Sequence, residues 1–334
     1  MSRLTSPALA ARILACALMV EVTASSHLQA SGERRPAGPS AAVIGPRTSG
    51  VPPAPPSSEE GLGPGEEKAA AAQGGPALAA FPPGTLLWIG AHPDDEVLAA
   101  PLLGFLCSDG RHSCAFLVAT RGENGICRLA GGCLPDLATV RSAEMQDAAA
   151  LYGAALIQDS LPDLFGPTPL AVRQGWAAFQ GSDEQLRAAL AAVIRQIAPA
   201  AILTFDPRHG TTCHDAHRAV GRLAVQVVRE LGAAAPLLFL LESRVVIAPA
   251  GAAIDWSKAV ADDPAVLRFS AERPLPGGPG TGWDFLLANA RRHPSQLDAT
   301  FLASLARVPA AARQTHVLRS TDFRFDPRYL TLCP

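Results

Sequence analysis

The sequence predicts an α/β fold whose mostly parallel sheet is covered on both faces by helices. Three observations predict it. Short apolar runs alternate with helical stretches between residues 85 and 241. Clusters of His and carboxylate residues fall directly after two of those runs. The composition, 48% hydrophobic and 17% charged over 334 residues, is that of a chain with a packed core.

The elements follow in order. Thr85–Ala91 is an apolar run ended by a polar cluster, the pattern of a buried strand. Glu96–Cys107 reads as a mostly apolar helix, and Cys114–Thr120 as a second strand. Leu137–Tyr152 carries Arg141, Glu144 and Asp147 on one polar face and reads as a helix. Ala155–Gln158 is a short third strand. Asp183–Ile197 is a helix opened by Ser182, an N-cap residue. Ala201–Phe205 is a fourth strand, Asp215–Leu231 a helix and Pro236–Leu241 a fifth strand. Strand and helix in alternation give a parallel sheet with helices on both sides. In such sheets the ligand site lies beyond the carboxyl ends of the strands.

The chain upstream of this region has a different character. Between Ser31 and Gly84 there are 11 Pro and 10 Gly, with no hydrophobic period. Such a segment cannot offset its ordering entropy, so residues 31–82 are expected to be a disordered linker. Residues 1–30 have the layout of a signal peptide. Arg3 and Arg12 precede the run Ile13–Val20, and small residues follow at Ala24-Ser25-Ser26 and Ala30-Ser31. Eight apolar residues are too few to span a bilayer, and Cys16 sits in a poor lipoprotein box. Export to the periplasm or the extracellular space is the expectation, with no membrane span in the mature chain. Residues 83–334 then form one catalytic domain. Without Cys16 six cysteines remain, an even number that includes two close pairs, 107/114 and 127/133. Neither pair has CxxC spacing, which argues against a zinc knuckle or a thioredoxin-type site. A net charge of −2 excludes a basic nucleic-acid footprint. The chain also lacks a GxGxxG fingerprint, which disfavours a dinucleotide cofactor.

The chemistry sits after strands one and four. The first is followed by His92-Pro93-Asp94-Asp95-Glu96, and the fourth by Asp206 through His217. Both clusters open a helix, and both can converge on one metal. Imidazole nitrogen with carboxylate oxygen is a zinc-type donor set, and three protein ligands leave room for water. His214 and His217 are three apart and share a helical face. Asp94 and Asp95 are neighbours and point different ways, so one can ligate while the other acts as a base.

The run His92–Glu96 resembles the HPDDE signature of the PIG-L/LmbE-like de-N-acetylases, and His214–Gly221 resembles that family's HPDHRAVG motif. Arg141 with Glu144, Leu161-Pro162-Asp163 and His293-Pro294-Ser295-Gln296 resemble three weaker family motifs. The resemblance covers about residues 85–302, in order. It implies a Rossmann-like three-layer α/β/α fold and a zinc-dependent amidase that removes N-acetyl groups from amino sugars. By the same resemblance His92, Asp95 and His217 are the metal ligands and Asp94 is the general base. His214, as a cation, would stabilise the oxyanion or protonate the leaving amine. Arg141 and Asp163 would contact substrate. Zn2+, or another divalent metal, is the implied cofactor, and a small molecule or glycan bearing an N-acetyl group the implied partner. One position departs: Asp215-Ala216 stands where the family usually has Pro-Asp. Asp215 or Asp206 is expected to take over the orientation of the histidine pair.

Plainer readings stand beside these. Arg141 and Glu144 read equally as a surface ion pair, Asp163 as a turn residue, His293 as a surface helix start and His209 as a loop residue. Thr120–Gly125 reads as a turn, and Cys213 as a thiol or half-cystine. Two other classes compete: a zinc amidase for a non-sugar amide, and a non-catalytic carbohydrate-binding relative. Residues 248–283 are expected to form part of the pocket rim, apolar for a lipid-linked sugar and polar for a soluble glycan.

Overall fold

The structure is a computed structural model that describes residues 78–243, 265–321 and 333. These residues all fall within one compact unit, Gly74–Pro334. The expected signal peptide, and the linker up to residue 77, lie outside the described residues. The linker ends sooner than residue 82. Leu78, Ala80 and Phe81 are buried, and the Phe81 ring stacks on Phe239 at 4.0 Å.

The chain builds one seven-stranded sheet. Its elements are β1 (Gly84–Gly90), α1 (Ala100–Ser108), β2 (His112–Thr120), α2 (Leu137–Tyr152), β3 (Ala155–Leu161), α3 (Pro169–Gln180), α4 (Asp183–Ile197), β4 (Ala201–Phe205), α5 (Asp215–Leu231), β5 (Leu237–Leu241), β6 (Leu267–Ser270), α6 (Gly282–Ala290), α7 (Ala299–Ala306) and β7 (Gln314–Arg319). A 3₁₀ turn, Asp95–Ala99, leads into α1. The strand order is β3-β2-β1-β4-β5-β7-β6. The first five are parallel, and β7 runs antiparallel to both β5 and β6.

Local chemistry explains the boundaries. Asp136 accepts the N–H of Thr139 at the start of α2, and Ser182 accepts that of Gln185 at the start of α4. Thr168 caps α3 with Pro169 at its first position, and Thr281 and Asp284 form a capping box on α6. The central strands are apolar on both faces because helices cover both. Leu87, Trp88, Ile202, Leu203 and Phe239 are all 1% exposed or less. The chain steps outward from β1 through α1 to β2, and the opposite way from β4 through α5 to β5. Right-handed crossovers in opposite directions put α1 and α5 on opposite faces. The switch point lies between β1 and β4, which pair directly. A crevice opens there at their carboxyl ends.

Two expectations of extent are corrected. The rim expected from residues 248–283 is not built by its described part. Residues 265–283 form the edge strand β6 and lead into α6, and none lines the cavity described below. Residues 248–264 lie outside the described residues. The helix expected at Glu96–Cys107 is divided, its first turn being 3₁₀.

The two close cysteine pairs are disulfides, Cys107–Cys114 and Cys127–Cys133. The third bridge is Cys213–Cys333, so Cys213 is a half-cystine and not a soft metal ligand.

Candidate metal and catalytic centre

The loop after β1 folds around one carboxylate. Asp95 Oδ2 accepts the backbone N–H groups of Ala91 (2.6 Å) and His92 (2.8 Å). Its other oxygen, Oδ1, is thereby aimed away from the loop. It lies 2.9 Å from His217 Nε2 and 3.5 Å from His92 Nδ1. Burial opposes its ionisation, but His217 and His92 hold the Asp95 carboxyl well below the usual range.

His217 arrives from α5. Its Nδ1 is 3.0 Å from the Gly210 carbonyl and 3.0 Å from Thr212 Oγ1. A carbonyl only accepts, so Nδ1 carries the proton and the Nε2 lone pair faces Asp95. The ring stacks on Phe205 at 4.2 Å, almost parallel. Helix α5 comes this close to β4 because Gly221 has no side chain. A Cβ there would sit 2.3 Å from the Phe205 carbonyl oxygen. The orientation expected of Asp215 or Asp206 is thus supplied by Gly210 and Thr212. Asp215 pairs with Arg218 instead, and Asp206 with Arg208.

Nitrogen atoms of His92, His214 and His217 lie within 4.8 Å of one another. Burial works against charge on His92, yet Asp95 and Asp163 overcome it and push its pKa up to about 10. Two imidazole nitrogens and the free Asp95 oxygen, on a largely water-excluded floor, fit a divalent metal of the zinc type.

Asp94 occupies the left-handed region, at φ 108°. This strained backbone turns its carboxylate away from that of Asp95. Asp94 Oδ2 is held 3.0 Å from Arg141 Nη2. Arg141 also donates to the carbonyls of Pro93 and Gly122. The close approach of Gly122 requires glycine: its φ is +64°, and a Cβ would meet the guanidinium at 2.2 Å. Burial raises the Asp94 carboxyl, Arg141 opposes that, and the result lies above the ordinary value.

Asp163 is buried, with Oδ1 3.2 Å from His92 Nε2 and Oδ2 accepting the Asn124 N–H. Arg141 and Asp163 both line the cavity. There Arg141 pairs with Asp94, and Asp163 with His92. Arg141 and Glu144 do not form a surface pair. Both are buried, and Glu144 accepts from the Ser295 N–H and hydroxyl. His293 is fully buried and 2.6 Å from Glu96 Oε1, so the surface reading fails there too. The weak C-terminal motif thus fastens the chain after α6 to the first main motif through Glu96 and to α2 through Glu144.

His214 caps α5, its Nδ1 accepting the Ala216 N–H at 3.3 Å. Its proton is then on Nε2. Burial, with His217 and His92 adding to it, lowers its pKa to about 3. Burial thus favours a neutral imidazole with a donating N–H over the expected cation.

The three histidines, Asp94, Asp95, Arg141 and Asp163 open on a cavity of about 390 Å³. Its floor is His92, Asp94, Asp95, His214 and His217, and Ile126, Phe165, Leu297 and Phe301 add apolar walls. Asn124 and Gly125, from the turn after β2, line it as well.

A second group was missed from sequence. Asp206, His209 and Glu242 lie within reach of one another, all buried. The alternation Asp206-Pro207-Arg208-His209 beside the second motif was its only signal.

Residues 87–228 match the model of a family described as PIG-L: GlcNAc-PI de-N-acetylase. Three solved structures are similar at low identity. N,N'-diacetylchitobiose deacetylase from Pyrococcus horikoshii is 16% identical with a TM-score of 0.49, over 78% of this chain and 96% of that one. The 4-carboxy-2-hydroxymuconate hydratase GalB from Pseudomonas putida KT2440 is 15% identical with a TM-score of 0.48, over 73% and 98%. The zinc-inhibited form of teicoplanin deacetylase Orf2 is 16% identical with a TM-score of 0.46, over 72% and 100%. No curated protein matches the chain.

Proposed function

We propose, with residues 87–228 as a PIG-L family segment for the premise, that the protein is a metal-dependent de-N-acetylase of N-acetylglucosamine-type sugars or glycoconjugates. The observation that carries this reading is the floor of the cavity. Donor atoms of His92, Asp95 and His217 converge there, and the Arg141-anchored carboxylate of Asp94 stands beside them.

His92, Asp95 and His217 hold the metal, for which zinc is the best fit to the donor set. When bound, it supplies a Lewis acid for the amide carbonyl and for the attacking water. Asp94 accepts the proton of that water at its carboxylate as the water oxygen bonds to the carbonyl carbon. The same carboxylate returns the proton to the nitrogen as the C–N bond breaks, releasing acetate and a free amine. Arg141 keeps Asp94 on station. His214 donates its Nε2–H to the oxygen on which negative charge develops, and burial favours its neutral form. Asp163 fixes the ring of His92 from its far nitrogen. Export completes the reading, and the three disulfides support an oxidising compartment.

The test is acetate release from methyl N-acetylglucosaminide and N,N'-diacetylchitobiose by zinc-loaded protein. Asp94→Asn is expected to keep its metal and to lose about 10²–10⁴-fold in kcat. Wild-type protein that carries zinc and releases no acetate from either would contradict the reading.

A further inference from the structure

The turn between β4 and α5 supplies the supports of two histidines in the site. The Gly210 carbonyl and Thr212 Oγ1 each lie 3.0 Å from His217 Nδ1. His214 leaves the turn directly after Cys213 and caps α5. The turn is also strained. Gly210, Thr211 and Cys213 all occupy the left-handed region, at φ +55°, +63° and +61°. Glycine takes that region freely, whereas a β-branched threonine is an outlier there and Cys213 adds a second Cβ penalty. Such backbone persists only where the surrounding structure over-determines it.

Hydrogen bonds fold the turn on itself. The Gly210 N–H donates to the Asp206 carbonyl at 2.8 Å, the Thr212 N–H to the Gly210 carbonyl at 2.6 Å and the Cys213 N–H to the His209 carbonyl at 2.7 Å. These three bonds leave the turn unattached to distant chain. The Cys213–Cys333 bond attaches it, across 120 residues of sequence. It acts one residue after Thr212 and one before His214. Cys107–Cys114 is different in kind. It spans 7 residues and joins the end of α1 to the start of β2, at the end of the sheet away from the crevice.

We infer that Cys213 and Cys333 are positioning residues. Their bond holds the turn in its strained form, and through the turn it fixes His217 for the metal and His214 for the oxygen on which charge develops. The inference rests on the reading of His92, Asp95 and His217 as a metal site. Zinc affinity is read by chelator competition on the full chain, well below every melting temperature. Cys213→Ala with Cys333→Ala is compared with Cys107→Ala with Cys114→Ala. Each pair loses one disulfide and should melt lower than the parent. The first pair is expected to bind zinc about 10- to 100-fold more weakly than the parent, and the second within about twofold of it. Cys213→Gly with Cys333→Ala serves where the alanine pair does not fold, since glycine takes the left-handed backbone without strain and the bond is still missing. The same fall is expected there. At saturating zinc, kcat for acetate release should drop about tenfold in the 213/333 variant with KM within about twofold, because a displaced His214 fails the reacting oxygen and not the bound sugar. Parental zinc affinity in a folded 213/333 variant overturns this inference alone. An equal fall in the two disulfide pairs also overturns it, because stability would then explain both. A parent that binds no zinc overturns the metal reading and this inference with it. A parent that binds zinc and releases no acetate overturns the sugar reading, and the zinc comparison still decides this one.

Discussion

Two groups of His and carboxylate residues lie at the carboxyl ends of the central strands, one between β1 and β4 and one after β4, and of these two one is arranged to take a metal. In the cavity, Asp95 Oδ1 and the Nε2 of His217 face one another; backbone engages the other polar atom of each, and the Asp163 carboxylate engages that of His92. What remains is a set of lone pairs directed at one point, open to the cavity. The Asp206–His209–Glu242 group has donors of the same kind. There the guanidinium of Arg208 sits between the two carboxylates, paired with both Asp206 and Glu242. The His209 Nδ1 accepts the Thr211 N–H, so its lone pair on that side is used. The centre is already filled by a cation from the chain itself. Donor type and proximity do not make a metal site; unspent lone pairs with access from solvent do.

The comparison predicts that changes in the closed group act on stability and changes in the open group act on metal. Arg208→Met would leave two buried carboxylates without their cation, and should cost about 3–5 kcal/mol in chemical denaturation. A variant as stable as the parent would break the comparison. Glu242 gives a smaller, pH-dependent effect. Burial, with Asp206 adding to it, pushes its carboxyl up to about 7 from 4.5. Between those values the folded state holds a proton that the unfolded chain releases. Stability is therefore lost as pH rises from about 4.5 to about 7, by up to about 3 kcal/mol. Glu242→Gln keeps an acceptor for Arg208 and should flatten that slope relative to the parent. Identical slopes in the two proteins would remove the assignment. The smallest effect belongs to the open group. Thr212→Val takes one partner from His217 Nδ1 and leaves the Gly210 carbonyl. Zinc affinity, read by chelator competition, should fall about tenfold with little change in stability.

Much of the fold was legible in the sequence. Helices Leu137–Tyr152, Asp183–Ile197 and Asp215–Leu231 and strand Ala201–Phe205 were read to the residue, because apolar period and capping residues agreed. The edge was not. β6 and β7 are short, and β7 pairs with β5 across a long stretch of chain, so nothing local announces them. Helix α3 carried Thr168-Pro169 at its start, a signal that was overlooked. In the site, the motif residues were legible and their supports were not. Gly210 holds His217 through a backbone carbonyl, which has no signature in sequence. His293 and Glu144 looked like surface residues because they are polar. Both are buried, and Glu96 and Ser295 bond to them across 197 and 151 residues of chain.

The central claim is that one metal binds at His92, Asp95 and His217, and none at the group closed by Arg208. Elemental analysis of the full chain, purified with added zinc, tests it directly. The account predicts about one zinc per chain in the parent and in His209→Gln, and none above background in His217→Ala. A metal-free parent, or zinc retained by His217→Ala and lost from His209→Gln, would contradict it.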